Sequence, residues 1–129
     1  MKYTLTLLCF VVLYGAVPAK AQKAYDVIRY QTIINGSPAT LQLADGYLLA
    51  SKVTIYSKSG NQVFSPSAGE ADAQGNLRFD LAMGTGRFKN NKLSWLTLKK
   101  MNIPEYASLI KAIYWDGKVQ KTVIFKQVN

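Results

Sequence analysis

Histidine is absent from the sequence, and cysteine occurs once, at Cys9. Cys9 lies in an apolar N-terminal stretch that we expect to be removed, so the mature chain would contain neither residue. Their absence excludes thiol nucleophiles, imidazole bases, disulfide bonds and the commonest protein ligands of zinc, copper and haem iron. We therefore expect a non-enzymatic protein with no cofactor and no bound metal.

Residues 1–21 have the features of a secretory signal peptide. Lys2 supplies the positive start, the stretch 4–17 is almost uncharged and mostly apolar, and Ala19-Lys20-Ala21 matches an Ala-x-Ala cleavage site. An uncleaved membrane anchor is the alternative, but a spanning helix needs about 20 apolar residues and this run is shorter. We expect a secreted or periplasmic protein with no transmembrane segment after cleavage, folded as one domain over residues 22–129.

The basic residues are unevenly distributed. The chain has 16 Lys and Arg residues and 7 Asp and Glu residues. The segment from Arg87 to the end of the sequence contains nine of the basic residues and only two acidic ones, Glu105 and Asp116. A basic surface attracts anionic glycans, lipid headgroups or nucleic acid, and we expect an anionic polysaccharide or an envelope protein as the partner at the bacterial cell envelope. The alternative is that dispersed lysines only confer solubility and protect sheet edges. No nucleic-acid-binding motif is present, and the expected export argues against that class of partner.

Turn signals divide the chain at short intervals into segments rich in β-branched and aromatic residues. Asn35-Gly36 and Asp116-Gly117 are typical of hairpin turns, which need positive φ angles. The intervening segments predict strands near 24–34, 39–44, 47–57, 61–65, 76–82, 92–100, 108–115 and 118–127. This pattern predicts an all-β fold, an antiparallel β-sandwich of about seven or eight short strands with a small barrel as the alternative.

Two segments are less regular. Asn102 and Glu105 have the spacing of a helix cap, which predicts one helical turn at 104–107 followed by a strand. The apolar residues that follow also have helical spacing, so a longer helix over 104–114 is the alternative. The Ser65–Gly69 stretch is predicted to be the loop where the chain crosses between two sheets.

A local resemblance supports the sandwich. Val53–Tyr56, Gly60 and Asp72–Phe79 follow one another as a strand, a turn and an Asp-x-x-Gly-x-x-x-Phe hairpin. This stretch resembles part of the secreted immunoglobulin-like and prealbumin-like β-sandwich domains. The resemblance implies a sandwich fold and an extracytoplasmic setting, and it carries over no catalytic residue.

Catalysis without histidine or cysteine would need paired carboxylates, a Ser–Lys dyad or a bound metal. Ser108 and Lys111 have the Ser-x-x-Lys spacing of serine acyl-transfer enzymes, but this spacing places both side chains on one face only in a helix. The segment 70–76 has oxygen-bearing residues at alternating positions, as calcium loops do, yet Leu81 stands where the closing acidic ligand belongs. A hairpin turn explains that segment. A small hydrolase that uses carboxylates, or Ser108 with Lys111, is the last alternative that we keep.

Aromatic residues beside the lysines form the candidate binding surface. Tyr114 and Trp115 are adjacent on a predicted strand, so one of them faces outward. An exposed ring can stack on a sugar or a nucleic-acid base while lysines contact acidic groups. The candidate binding residues are Tyr114, Trp115, Lys99, Lys100, Lys111, Lys118 and Lys121.

These features predict a non-enzymatic binding or interaction domain at the cell envelope, with an anionic glycan or a protein as its partner. The alternative is a structural or accessory envelope protein, in which an edge strand pairs with a partner chain. The second hypothesis requires a sheet with a free edge.

Overall fold

The computed structural model describes residues 25–90 and 93–129, and the predicted leader over residues 1–21 lies outside them. Two 3₁₀ helices, Leu48–Ala50 and Gly86–Phe88, are the helical segments of the described chain. No helix in this part has the length and apolar character needed to cross a membrane. The strands are β1 (Asp26–Ile34), β2 (Ser37–Asp45), β3 (Lys52–Ser57), β4 (Gly60–Pro66), β5 (Leu77–Gly84), β6 (Trp95–Leu98), β7 (Leu109–Trp115) and β8 (Gln120–Val128).

Each strand pairs antiparallel with the next one along the chain, and β8 pairs with β1 to close the sheet into a barrel. The predicted all-β antiparallel class is confirmed. The structure has the barrel that we named as the alternative, not the two-sheet sandwich that we placed first. The predicted crossing at Ser65–Gly69 is wrong, because Ser65 and Pro66 end β4 and residues 67–69 begin its hairpin connection to β5. Strand periodicity and turn signals are the same in both architectures, so only long-range pairing distinguishes them.

Inward-facing residues of every strand fill the interior of the barrel. Side chains alternate between the two faces of a strand, and eight strands enclose a space just wide enough for side chains to fill. Leu77 and Phe79 face inward, as their alternation with Arg78 and Asp80 predicts. The fully buried large side chains include Tyr30, Leu41, Leu43, Val53, Phe64, Leu77, Phe79, Leu96, Leu98 and Phe125.

The barrel has two ends, which we name the mouth and the base. The mouth carries the β1–β2, β3–β4, β5–β6 and β7–β8 connections, and the base carries the other three. At the mouth, Asn35 and Gly36 have φ angles of 52° and 75°, as the predicted hairpin turn requires. Three of the four mouth connections are between two and four residues long, and the β5–β6 connection is the long one at this end.

Longer connections and buried side chains close the base. The phenolic O–H of Tyr30, on the inner face of β1, donates to the carbonyl of Ala107 at 2.9 Å. Met101 packs against the core, and its amide donates to the carbonyl of Gly75 at 2.7 Å. This hydrogen bond joins the β6–β7 connection to the β4–β5 connection, so the base is packed where the mouth is open.

The helical turn predicted at 104–107 is wrong, and so is the longer alternative over 104–114. The first segment forms bends and irregular chain, and β7 occupies most of the second. The backbone groups of β7 are satisfied by ladders with β6 on one side and β8 on the other. This pairing outweighs the weak helical spacing of the apolar residues.

The ladder that closes the barrel is its shortest. β1 and β8 pair over Arg29–Gln31 and Lys126–Val128, three residues on each strand, whereas β7 and β8 pair over seven. Towards the mouth, Thr32–Ile34 of β1 and Gln120–Phe125 of β8 have no ladder with each other. We name these two segments the seam, and they mark the least reinforced part of the wall.

Candidate functional site

A cavity of about 390 Å³ lies at the mouth of the barrel. It forms because the inward-facing residues change from apolar to polar as the strands approach the mouth. In β3 the inward series runs from Val53 through Ile55 to Ser57, and in β4 it runs from Phe64 to Gln62. Ser57 and Gln62 line the cavity, which therefore has polar walls above an apolar core.

Gln62 lies at the bottom of the cavity with an incomplete set of hydrogen bonds. Its side chain is 2 % exposed, and its Oε1 accepts a hydrogen bond from the phenol of Tyr114 at 3.4 Å. Its Nε2 has no hydrogen-bond partner among the described residues. A buried donor without a partner costs about 1–3 kcal/mol. An acceptor that enters the cavity would recover this free energy.

Tyr114 lies beside Gln62 on the inner face of β7. Its ring packs edge-to-face on Phe64, with the centroids 6.2 Å apart and the planes at 85°. Burial raises the pKa of the phenol, although hydrogen bonds with Ser94 and Gln62 act in the opposite direction. The phenol is therefore protonated at neutral pH and donates to the Gln62 carbonyl oxygen, which leaves the amide N–H groups for another partner.

The rim of the cavity carries more positive than negative charge. Arg87 and Lys118 line it, and Asp116 is the one carboxylate of the lining. Asp116 accepts the backbone N–H of Val119 at 2.8 Å and that of Lys118 at 2.7 Å, and these hydrogen bonds lower the pKa of its carboxyl group. The carboxylate thus stabilises the β7–β8 turn, and in the described chain no salt bridge neutralises Arg87 or Lys118.

Close backbone packing holds Arg87 and Phe88 over the mouth. The amide of Arg87 donates to the carbonyl of Ser59, in the β3–β4 turn, at 3.0 Å. A Cβ atom on Gly86 would lie 2.1 Å from that carbonyl oxygen, and the φ of Gly86 is +60°, so only glycine permits this approach. The Arg87 guanidinium lies 4.6 Å from the centre of the Phe88 ring, which places a cation and an aromatic ring together at the rim.

Three of the predicted binding residues lie at the mouth. Tyr114 and Lys118 line the cavity, and the ammonium group of Lys121 donates to Oδ1 of Asn35 across the seam. The prediction that either Tyr114 or Trp115 faces outward is confirmed, since Tyr114 is buried and Trp115 lies on the outer wall. Trp115 pairs across the strands with Trp95 and lines neither the mouth cavity nor the base.

The other three predicted residues lie at the opposite end of the barrel. Lys99, Lys100 and Lys111 line a groove of about 200 Å³ at the base, together with Met101 and Tyr106. The structure therefore divides the seven candidate residues among the mouth, the base and the outer wall. The single surface that the sequence predicted is not formed.

Sequence reasoning missed Gln62, Arg87 and Phe88. A signal for Gln62 exists in retrospect, because it is a long polar residue two positions from the inward-facing Phe64. The sequence does not show which face of that strand is inward, so the position of Gln62 inside the barrel could not be predicted from it. Arg87 and Phe88 lie in an irregular connection, where no periodicity predicts side-chain direction.

No protein-family model matches the chain, and neither a curated protein nor a solved structure shows significant similarity to it.

Proposed function

We propose that this chain is an exported, non-enzymatic binding protein that holds a small acidic and hydroxylated ligand, such as a uronic acid, in the mouth cavity. The leader predicted over residues 1–21 supports export, and the lack of histidine and cysteine after it favours binding over catalysis. The bacterial cell envelope is the proposed setting, because its anionic glycans contain units of this chemistry.

The observation that carries the proposal is the unpartnered Nε2 of Gln62 at the bottom of the cavity. A hydroxyl, carbonyl or carboxylate oxygen of a ligand would accept its hydrogen bond. Asn35, Ser37 and Ser57 also line the cavity and supply further donors and acceptors. An apolar ligand would leave Nε2 of Gln62 without a partner, whereas a ligand with several hydroxyl groups supplies an acceptor for it.

The rim favours an acidic group on the ligand. Arg87 and Lys118 have no salt-bridge partner among the described residues, and a guanidinium group binds a carboxylate with two parallel hydrogen bonds. The Phe88 ring beside Arg87 offers an apolar face to the C–H groups of a sugar ring. The ligand would therefore bind in one orientation, with its hydrogen-bond acceptors towards Gln62 at the bottom of the cavity and its acidic group towards Arg87 and Lys118 at the rim.

The size of the cavity limits the ligand to a small molecule or to the end of a chain. A volume of about 390 Å³ lies near the lower end of the range of roughly 300–1,000 Å³ that small-molecule pockets cover. A monosaccharide or a terminal sugar unit fits this description better than an extended polymer. A polysaccharide would therefore be bound by its end.

Calorimetric titration of the full chain tests the proposal with glucuronate, its neutral methyl ester and glucose as probes. A charge-assisted hydrogen bond contributes about 1.5–3 kcal/mol, so glucuronate should bind at least about tenfold more tightly than the two neutral sugars. Arg87→Gln should remove this preference. The matched control Arg29→Gln, on an exposed position of β1, should retain it. Equal affinities for the acid and its ester, or no binding of any probe, would contradict the proposal.

The alternative of edge-strand pairing has less support. It requires a sheet with a free edge, and β8 pairs with β1. The seam leaves Thr32–Ile34 and Gln120–Phe125 without a mutual ladder, so unpaired strand edge is limited to three residues of β1 and six of β8. We therefore place the binding function at the mouth cavity.

A further inference from the structure

The base of the barrel carries lysines around exposed apolar side chains, a combination that ligand binding at the mouth does not explain. Lys99, Lys100 and Lys111 line the basal groove with Ile103 and Leu109. Ile103 is 42 % exposed and Leu109 is 56 % exposed. We name these five residues the basal patch.

Neighbouring carboxylates do not neutralise the basal patch. In the described chain none of its lysines forms a salt bridge, and Lys99 Nζ donates to the neutral amide oxygen of Asn76 at 3.0 Å. Lys126 pairs with Leu109 across β7 and β8 and adds a fourth cation beside the patch. The residues that line the groove include three lysines and no carboxylate, so the groove itself is positively charged. The base as a whole also carries acidic residues, at Asp26, Asp45, Glu70, Asp72 and Glu105.

Backbone packing holds part of the basal patch in place. Lys100 has a φ of 56°, in the left-handed region that non-glycine residues rarely adopt. A Cβ atom on Gly75 would lie 3.1 Å from the Lys100 Cα, so the two basal connections approach each other closely at this point. The adjacent hydrogen bond from Met101 to Gly75 fixes the same segment. The lysine side chains therefore extend from an ordered backbone rather than from a free loop.

We propose that the basal patch docks the protein on an anionic lipid bilayer, with the lysines at the headgroups and Ile103 and Leu109 in the interfacial layer. The charge of the patch complements anionic headgroups, and each lysine near such a surface contributes to attraction. An acidic polymer in water would satisfy the lysines but leave both apolar side chains exposed, whereas a bilayer covers them. Because the base is opposite the mouth, this orientation leaves the mouth cavity open to solvent.

Co-sedimentation with lipid vesicles tests the proposal. The full chain is mixed with vesicles of phosphatidylcholine alone or with about one third phosphatidylglycerol, and the ratio of the two partition coefficients is measured. Residues 1–24 are identical in every variant, so their contribution to this ratio is the same throughout. The basal variant carries Lys99→Gln, Lys100→Gln and Lys111→Gln. The control carries Lys58→Gln, Lys89→Gln and Lys118→Gln, which remove the same charge from the mouth end.

The basal variant should lose most of the preference for anionic vesicles. At about fivefold per lysine near an anionic surface, three lysines correspond to a loss of about a hundredfold. The control variant should lose much less, because its lysines lie at the far end of the barrel. Ile103→Ser should lower binding by about tenfold without changing the charge, since burial of an isoleucine side chain is lost.

Two outcomes would overturn the proposal. Equal losses in the basal and control variants would show that net charge alone attracts the protein. Unchanged vesicle binding of Ile103→Ser, together with weaker retention of the basal variant on heparin, would show that the patch binds acidic polymers instead. The substituted side chains are exposed or half-buried, and unchanged circular dichroism spectra would confirm that each variant folds.

Discussion

The replacement of Gln62 by methionine should stabilise the barrel and weaken ligand binding at the same time. Methionine has nearly the length of glutamine and lacks both polar atoms of the amide. The substitution removes an Nε2 that is buried without a partner, and it also removes the Oε1 that accepts from Tyr114. Stability and binding should therefore change in opposite directions, which a purely structural role of Gln62 would not produce.

The magnitude follows from the hydrogen bonds that are lost and the penalty that is relieved. Relief of an unsatisfied buried donor is worth about 1–3 kcal/mol, and loss of one hydrogen bond costs about 0.5–1.5 kcal/mol. The lost bond is long, at 3.4 Å, and Tyr114 keeps its hydrogen bond with Ser94. We expect a net gain of about 1 kcal/mol in the free energy of unfolding, which raises the midpoint temperature by roughly 4–8 °C in a domain of this size.

Guanidinium denaturation of Gln62→Met measures this gain, with an unchanged m-value as evidence that the same surface is exposed on unfolding. Gln120→Met, at the exposed start of β8, is the matched control and should change stability by less than about 0.5 kcal/mol. Glucuronate affinity of Gln62→Met should fall by about tenfold or more. A loss of stability above about 1 kcal/mol, or an unchanged affinity, would refute the reasoning.

Other regions of the barrel give three further expectations. Gly75→Ala should cost about 1–2 kcal/mol in urea denaturation, because a φ of +82° strains a residue that has a Cβ and this Cβ would lie 3.1 Å from the Lys100 Cα. Unchanged stability would contradict this close approach of the two basal connections. Amide hydrogen exchange should be faster in the seam segments Thr32–Ile34 and Gln120–Phe125 than in the paired centres of β1 and β7, and uniform protection would contradict the short closing ladder. Asp116→Asn should destabilise the protein at neutral pH. Hydrogen bonds from Val119 and Lys118 lower the pKa of Asp116, so its contribution to stability is present above the unfolded value near 3.8 and is lost as the pH falls through the lower folded value. The advantage of the wild type over Asp116→Asn should therefore shrink as the pH falls below about 3.8. An advantage that stays constant with pH would contradict this assignment.

The strands could be predicted from the sequence because their signals are local. Alternation such as Leu77, Phe79 and Leu81, and turn pairs such as Asn35-Gly36, are encoded within a few residues of each other. Closure of the barrel could not be predicted in this way. It depends on Arg29–Gln31 pairing with Lys126–Val128, and no short-range pattern indicates which two strands meet at the ends of a sheet.

The site was less predictable because it depends on where the strands begin and end. Lys111 and Lys118 are close in sequence, but Lys111 lies near the basal start of β7, whereas Lys118 lies in the turn beyond the mouth end of that strand. At about 3.3 Å per residue, the part of β7 from Lys111 to Trp115 alone spans roughly 13 Å. Gln62 was missed because its contribution to the cavity depends on the inward face of β4, which the barrel defines and the sequence does not.

The most direct test of the proposed binding site is a nuclear magnetic resonance titration of the isotopically labelled chain with glucuronate. The side-chain amide resonance of Gln62 and the backbone resonance of Arg87 should shift together with one common affinity. The indole resonances of Trp95 and Trp115, on the outer wall, should stay unchanged. Shifts confined to the indoles or to the base, with Gln62 and Arg87 unaffected, would contradict a binding site at the mouth.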